Sequence, residues 1–351
     1  MLVAKNQHGQ LVLASMTNQE HQYFCPECGA LLTLRQGKRV SHFAHRPNSG
    51  CRFSTGESET HLYGKETLRR WAQRHGWTPQ LEVALPAINQ RADLLVVINN
   101  QPVALEFQCS PLSAKRLAER TKGYHQLGIM VRWILGPTYE RRQLHREIKA
   151  RFTQLVNGQP CITFWEPRTS RFRYVHPYYC DKGGGPQWWA RVRGETQNLQ
   201  RYASLKDGLV RQAYQADHQL AACPLVAHGR GEWWPLTVEQ PLRWRIRLLL
   251  ALEQEQIGKR WAPLQWQAWL ATKTKWLALP ALDPLQQQNL RSYQLNELTN
   301  DLLQEGIIKT QAGSYVYQAR ARWFDNYEQK LNYLHKKGMT LKENLQCHSN
   351  H

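Results

Sequence analysis

Alternating apolar and polar positions occur in only a few stretches of this chain, and the most informative is a pair. Residues 93–98 and 103–108 are apolar, β-branched runs flanking Asn99-Asn100. An Asn pair tolerates the positive φ angles that a two-residue hairpin turn requires. With that turn, Ile98 pairs with Gln101, and counting back along both strands sets Asp93 opposite Glu106. Gln108 then projects from the same face as Glu106, while Leu105 and Phe107 point the other way into a core. Upstream, residues 57–72 read as a helix capped by Ser54 or Thr55. Glu57, His61 and Lys65 lie on one stripe of it, Leu68, Trp71 and Ala72 on an adjoining one, and Gly64 would admit a close approach to a sheet. Residues 80–85 alternate as a strand. A second helix opens at Ser113, carries Leu117, Tyr124 and Leu127, and stops at Gly128; residues 129–135 are a buried strand. The order is αβββαβ, and the last strand–helix–strand passage implies a parallel crossover.

The first 54 residues have a different pattern. Cys25-Pro-Glu-Cys28-Gly29 is followed by the alternating run Leu31 to Leu34, a Gln36-Gly37 turn and Ser41-His-Phe-Ala-His45. Two cysteines at this spacing form a knuckle, and further ligands some fifteen residues on can close a tetrahedron around zinc. Cys25 and Cys28 are the first two ligands. His45, then His42, with Cys51 as substitute, compete for the other two places. A module this small needs such a staple, so the zinc is structural.

Past Pro137 the chain becomes Trp-rich, with 11 of its 14 tryptophans after residue 160, many beside Arg or Lys. Arginines next to aromatic faces suit single strands of nucleic acid, whereas Trp at helical spacing, as at Trp266 and Trp269, belongs to a core. Helical periodicity runs through residues 246–252, 264–270 and 285–303. Gly183-Gly-Gly-Pro186 reads as a linker, Cys161, Cys180 and Cys223 as buried small hydrophobes, and the polar end with Lys336, Lys337 and Cys347 as loose. Three domains are expected: a zinc module, 1–54; an α/β domain, 55–137; and a basic, mostly helical region that binds DNA or a partner, 138–351.

Charge narrows the function. A net +19 over 351 residues calls for a polyanionic partner, because Lys and Arg that neutralise phosphates release counterions. No apolar run reaches the roughly 20 residues that span a bilayer, and no secretory signal or basic membrane anchor is evident, so a cytoplasmic, DNA-binding protein without a membrane partner is expected. On the hairpin, two opposed carboxylates repel unless a cation lies between them. Asp93 and Glu106, with Glu57 as a third acid and the Phe107 carbonyl within reach, form an oxygen-rich set suited to Mg²⁺ or Mn²⁺. Gln108 would place a water, and His61 would transfer a proton or contact a phosphate.

Together, the cysteine knuckle, His-Phe-Ala-His at 42–45, Glu57-Ser-x-x-His61, Arg91-Ala-Asp93, Glu106-Phe-Gln-Cys-Ser110 and Arg120-x-x-x-Tyr124 resemble the competence protein CoiA family over residues 1–137. The resemblance implies a cytoplasmic protein of natural transformation that works with the recombination machinery on incoming single-stranded or branched DNA. It also implies a restriction-endonuclease-like PD-(D/E)XK core, a metal-dependent deoxyribonuclease, with Asp93 and Glu106 as its acids. Gln108 stands where that pattern has lysine, and glutamine orients a water without neutralising developing charge. The second expectation is therefore a non-catalytic mediator that binds DNA and docks the strand-exchange recombinase.

Overall fold

In a computed structural model, residues 1–47, 49–51, 56–140, 144–176, 185–230 and 236–348 are described. They divide into two units, Met1–His176 with Leu279–Leu282, and Pro177–Ala278 with Asp283–His351.

The first unit begins with a five-stranded antiparallel sheet: β1 (Val3–Lys5), β2 (Leu11–Leu13), β3 (Tyr23–Phe24), β4 (Leu31–Gln36) and β5 (Ser41–His45), in the order β2-β1-β3-β4-β5. Helix α1 (Glu59–Arg74) follows, then β6 (Gln80–Leu85), β7 (Gln90–Ile98), β8 (Gln101–Gln108), α2 (Ala114–Gln126) and β9 (Met130–Leu135). This is the expected αβββαβ order, in a mixed α/β fold. Asn99 and Asn100 take φ of 50° and 63°, and Ile98 pairs with Gln101. The β8–α2–β9 passage is parallel, with Glu106 beside Trp133.

The sheet continues beyond residue 137. After α3 (Pro137–Glu140) and α4 (Arg146–Arg151) come β10 (Gln154–Val156), β11 (Gln159–Glu166) and β12 (Arg171–Val175). β11 runs parallel to β9, and the whole is a seven-stranded sheet ordered β10-β11-β9-β8-β7-β6 with β12 on β11. The change in composition at Pro137 marks no end of the core, because β11 is itself a buried apolar strand whose Trp165 is fully covered.

Helix α1 starts later than its sequence pattern suggests. Ser54 and Thr55 lie outside the described residues; Ser58 is the cap, its hydroxyl accepting the His61 N–H at 3.2 Å. Glu57 therefore precedes the helix and folds back over its first turn. Leu62, Leu68 and Ala72 of α1 share a core with Leu94, Val96, Leu105 and Phe107. Gly64 is required there, since a Cβ would lie 1.9 Å from Phe107 Cε1. Alanine gains about 1 kcal/mol of helix propensity over glycine, but overpacking against a ring that is 1% exposed costs about 1–3 kcal/mol or more. Gly64→Ala is thus expected to lower the urea midpoint, and an unchanged midpoint would contradict this packing.

The second unit contains α5 (Pro186–Arg201), α6 (Gly208–Gln215), α7 (Pro241–Glu253), β13 (Arg260–Trp261), α8 (Pro263–Thr272), α9 (Pro284–Gln304), β14 (Ile308–Gln311), β15 (Ser314–Tyr317) and α10 (Tyr327–His348). It is mainly helical, as expected, with one small antiparallel sheet ordered β13-β15-β14. Trp266 and Leu270 are fully buried in its core, and Trp269 packs against them. The end of the chain is helical through His348 rather than loose. Cys161 is buried as a small hydrophobe; Cys223 is buried in other company, 3.2 Å from Lys330 Nζ and 3.7 Å from His228 Nε2. Burial would raise its thiol, yet Lys330 and His228 bring it down to about 7. Cys180 and residues 183–184 of the glycine run lie outside the described residues.

Candidate metal centres and the cleft of the α/β core

Two groups of metal-ligating side chains come together among the described residues, each with donor atoms within 4.8 Å of one another. The first is Cys25, Cys28, His45 and Cys51. The Cys25–Cys28 knuckle turns at Gly29, φ 71°, where the Gly29 N–H donates to the Cys25 carbonyl at 3.0 Å. His45 Nε2 lies 3.5 Å from Cys28 Sγ. Three sulfurs and one imidazole nitrogen make a four-donor set of the kind that fits zinc.

The ranking of the last two ligands needs correction. His45 is in the cluster, but Cys51 joins it and His42 does not; His42 Nδ1 lies 3.4 Å from the Val40 carbonyl. The reason is strand geometry. His42 and His45 are three apart on β5, so they point to opposite faces, and only His45 shares the face of buried Phe43. Cys51→Ser is accordingly expected to lower the melting temperature and to abolish protection by added Zn²⁺. His42→Ala should leave that protection intact, and thermal melts with and without chelator distinguish the two.

The second group is Glu57, His61 and Asp93. His61 bridges the two acids, Nδ1 lying 3.2 Å from Glu57 Oε1 and Nε2 3.2 Å from Asp93 Oδ2. Below them Lys65 is fully buried, its Nζ 2.6 Å from Glu57 Oε1, 2.6 Å from Glu82 Oε1 and 3.8 Å from Asp93 Oδ1. The Met1 ammonium lies 3.3 Å from Glu57 Oε2. Burial alone would raise both carboxyls; Lys65 and His61 instead hold Glu57 well below the ordinary range and Asp93 below its own. Burial would depress His61, but Asp93 and Glu57 raise it to about 9.

Asp93 and Glu106 do not meet as the hairpin count implies. The β7–β8 ladder stops at Leu94–Leu105, one pair short of them. There the strands part, and side chains fill the gap: Asp93 Oδ2 accepts the Phe107 N–H at 3.0 Å, and Arg120 donates to the Arg91 carbonyl at 3.2 Å. Asp93 turns to α1. Glu106 turns to α2, where Arg120 and the Tyr124 hydroxyl both donate to it. The face-to-face grip on one ion is thus replaced by a division of the pair between two helices. Burial and the nearby Asp93 raise the Glu106 carboxyl despite Arg120.

Both acids still line one cleft of about 700 Å³, with Glu57, His61, Arg91, Phe107, Gln108 and Arg120 among its other walls. The Phe107 ring stacks on His61 at 5.9 Å. Gln108 Nε2 donates to the Ser110 carbonyl. Sequence reasoning missed the partners of these residues. Lys65 was legible as part of the Glu57–His61 stripe but had no role. Glu82, which also accepts the Leu2 N–H at 2.8 Å, gave no local signal beyond its place on a strand.

The order of motifs is also that of a known family. Residues 6–54 match the family described as Competence protein CoiA, N-terminal domain, and residues 57–182 match Competence protein CoiA, nuclease-like domain. The chain belongs to the competence protein CoiA family. A Competence protein CoiA of Bacillus subtilis (strain 168) is 32% identical over 180 residues, which are 48% of this chain and 48% of that protein. The chain therefore matches about half the length of this curated relative. No solved structure matches it significantly. The CoiA N-terminal domain holds all four residues of the cysteine–histidine cluster. The CoiA nuclease-like domain begins at Glu57 and extends past 137 to take in β10, β11 and β12. No helix among the described residues is long and apolar enough to cross a membrane.

Proposed function

We propose that this CoiA-family chain is a metal-dependent deoxyribonuclease of natural transformation, acting in the cytoplasm on incoming single-stranded or branched recombination DNA. The observation that carries the reading is the Glu57–His61–Asp93 cluster, open to a cleft and backed by a buried lysine. The two carboxylates suit Mg²⁺ or Mn²⁺, with His61 between them as a proton donor rather than a ligand. Glu57 and Asp93 would hold the ion, with Glu106 and the Phe107 carbonyl at the same cleft. When bound, it supplies a Lewis acid that polarises the phosphodiester and lowers the pKa of a water.

The protein's own groups do the rest. Lys65 brings next to Asp93 the positive charge that a glutamine at 108 cannot, from the helix rather than the strand. The Gln108 amide nitrogen is committed to the Ser110 carbonyl, so its oxygen acts on a water, accepting a proton's hydrogen bond and orienting the attack. His61 assists proton transfer. Arg91, Arg116 and Arg120 line the cleft and suit a phosphate backbone. The cysteine–histidine cluster holds structural zinc. The test is incubation of the protein with flapped, forked, gapped and four-way DNA, with and without Mg²⁺ or Mn²⁺; absence of cutting on every substrate overturns it.

One observation favours a second reading. Glu57, Glu82, Asp93 and Glu106 are interleaved with Lys65, His61, Arg91 and Arg120, and Glu106 is already engaged by Arg120 and Tyr124. Acids balanced in this way would let the domain serve as a non-catalytic DNA clamp that docks the strand-exchange recombinase. That reading predicts transformation activity that survives neutral substitution at Asp93.

A further inference from the structure

The part of the second unit that carries α7 to β15 has an architecture the CoiA matches do not cover. Its elements run helix, strand, helix, helix, strand, strand, and the strands form an antiparallel sheet ordered first-third-second. The three helices and the sheet share one core, in which Trp244 and Leu248 of α7, Trp266 of α8 and Leu298 of α9 pack with Trp261 and Tyr317. Arg245 of α7 and Asp301 of α9 form a buried ion pair, and the Trp266 indole N–H donates to Thr299 at 2.9 Å. Asp283 caps α9 by accepting the Gln286 N–H at 2.8 Å. We propose that residues 241–278 and 283–317 are a winged-helix module that docks on duplex DNA through the outer face of α9 and the β14–β15 hairpin.

Architecture alone does not decide function; the surface of α9 does. Its inner face carries Leu290, Leu295, Leu298 and Leu302, all buried. The outer face carries Leu285, Asn289, Tyr293, Asn296 and Asn300, spaced three or four apart and all exposed. None of the five is charged. The Asn289 and Asn300 amides each present a donor and an acceptor together, the pattern that matches the major-groove edge of adenine. The Asn296 carbonyl already accepts from Gln267 of α8, and the nearest carboxylate, Glu297, is half-buried beside the stripe rather than on it. A helix fits that groove, with phosphate contacts from neighbouring elements fixing its register. Such contacts are at hand. Lys309 on β14 and Arg260 on β13 are exposed, and Lys273 and Lys275 are exposed just after α8. The hairpin turns at Ala312-Gly313, φ 49° and 70°, so β14 and β15 project as a short, stiff ribbon. A protein-docking face would present a continuous apolar patch, whereas this stripe alternates three amides with one leucine and one tyrosine ring.

The inference goes beyond the metal-centre reading and is tested without it. Binding of the full-length chain to a fluorescent duplex of about two helical turns, and to its single strand, is followed by anisotropy in EDTA, where cleavage is silent. The double substitution Asn289→Glu, Asn300→Glu is expected to weaken duplex binding by about tenfold or more while changing single-strand binding far less. Lys309→Ala should reduce the slope of log affinity against log salt by about one. A photo-crosslinking phenylalanine analogue at position 293 should couple to the duplex. Duplex affinity of the double variant within about twofold of the parent, with an unchanged circular dichroism melt, overturns the proposal; so does a crosslink from position 293 that reaches protein and never DNA.

Discussion

Asp93→Asn is expected to lower metal-dependent cleavage by about a thousandfold while DNA binding changes little. The charge that Asp93 places at the ion is asked to supply about 4 kcal/mol of transition-state stabilisation, within the several kcal/mol that a Lewis-acid site provides. Asparagine is the sharper variant because it retains an oxygen for the Phe107 N–H. Asp93→Ala should lose cleavage as fully, but it also strands that buried donor, at about 1–3 kcal/mol of stability. Initial rates on the preferred branched substrate, beside affinities in EDTA, separate the two effects. A variant that cuts as fast as its parent would remove Asp93 from the chemistry.

Lys65→Met should be the most destabilising single change in the first unit. The ammonium is fully buried and touches Glu57, Glu82 and Asp93. Removing it leaves Glu57 and Glu82 without the ammonium that touches both and takes a second cation from Asp93, whose nearer partner is His61. A buried pair broken on one side costs about 3–5 kcal/mol. Methionine fills the stem's volume, so the loss is electrostatic rather than a cavity. The pH dependence follows. Glu57 and Asp93 titrate in the folded chain below their ordinary values of 4.5 and 3.8. Their contribution is therefore complete above those values and is lost as pH falls through the lowered folded ones. The gap between parent and Lys65→Met, measured by urea unfolding in EDTA, should be full at neutral pH and narrow in that acid range. Adding Glu82→Gln should recover part of it, since the two sites are in contact and their effects do not add. A gap that does not change with pH would show that Lys65 acts by packing.

Much of the α/β core was legible because its signals are local. Asn99-Asn100 announces a tight turn, and the observed positive φ angles at both follow from what an Asn side chain allows. His45 was correctly ranked first; the exclusion of His42 was also present in the sequence, in the period of two along a strand, and His42 was placed ahead of Cys51 by counting ligands without assigning them faces. The winged-helix sheet lay below detection. Its strands are two to four residues long, too short for any alternation to show against the helices around them.

Sequence alone determined the αβββαβ order, the family, the turn at Asn99-Asn100 and the directions of side chains within each strand, since these depend on neighbours a few bonds away. Only the tertiary structure decided which charges meet. Lys65 finds Glu82 and Asp93, and Glu106 finds Arg120 and Tyr124, because α1 and α2 carry those groups to the point where β7 and β8 separate. A side chain's direction follows from its own backbone, but its partner is chosen by whichever distant element packs against it.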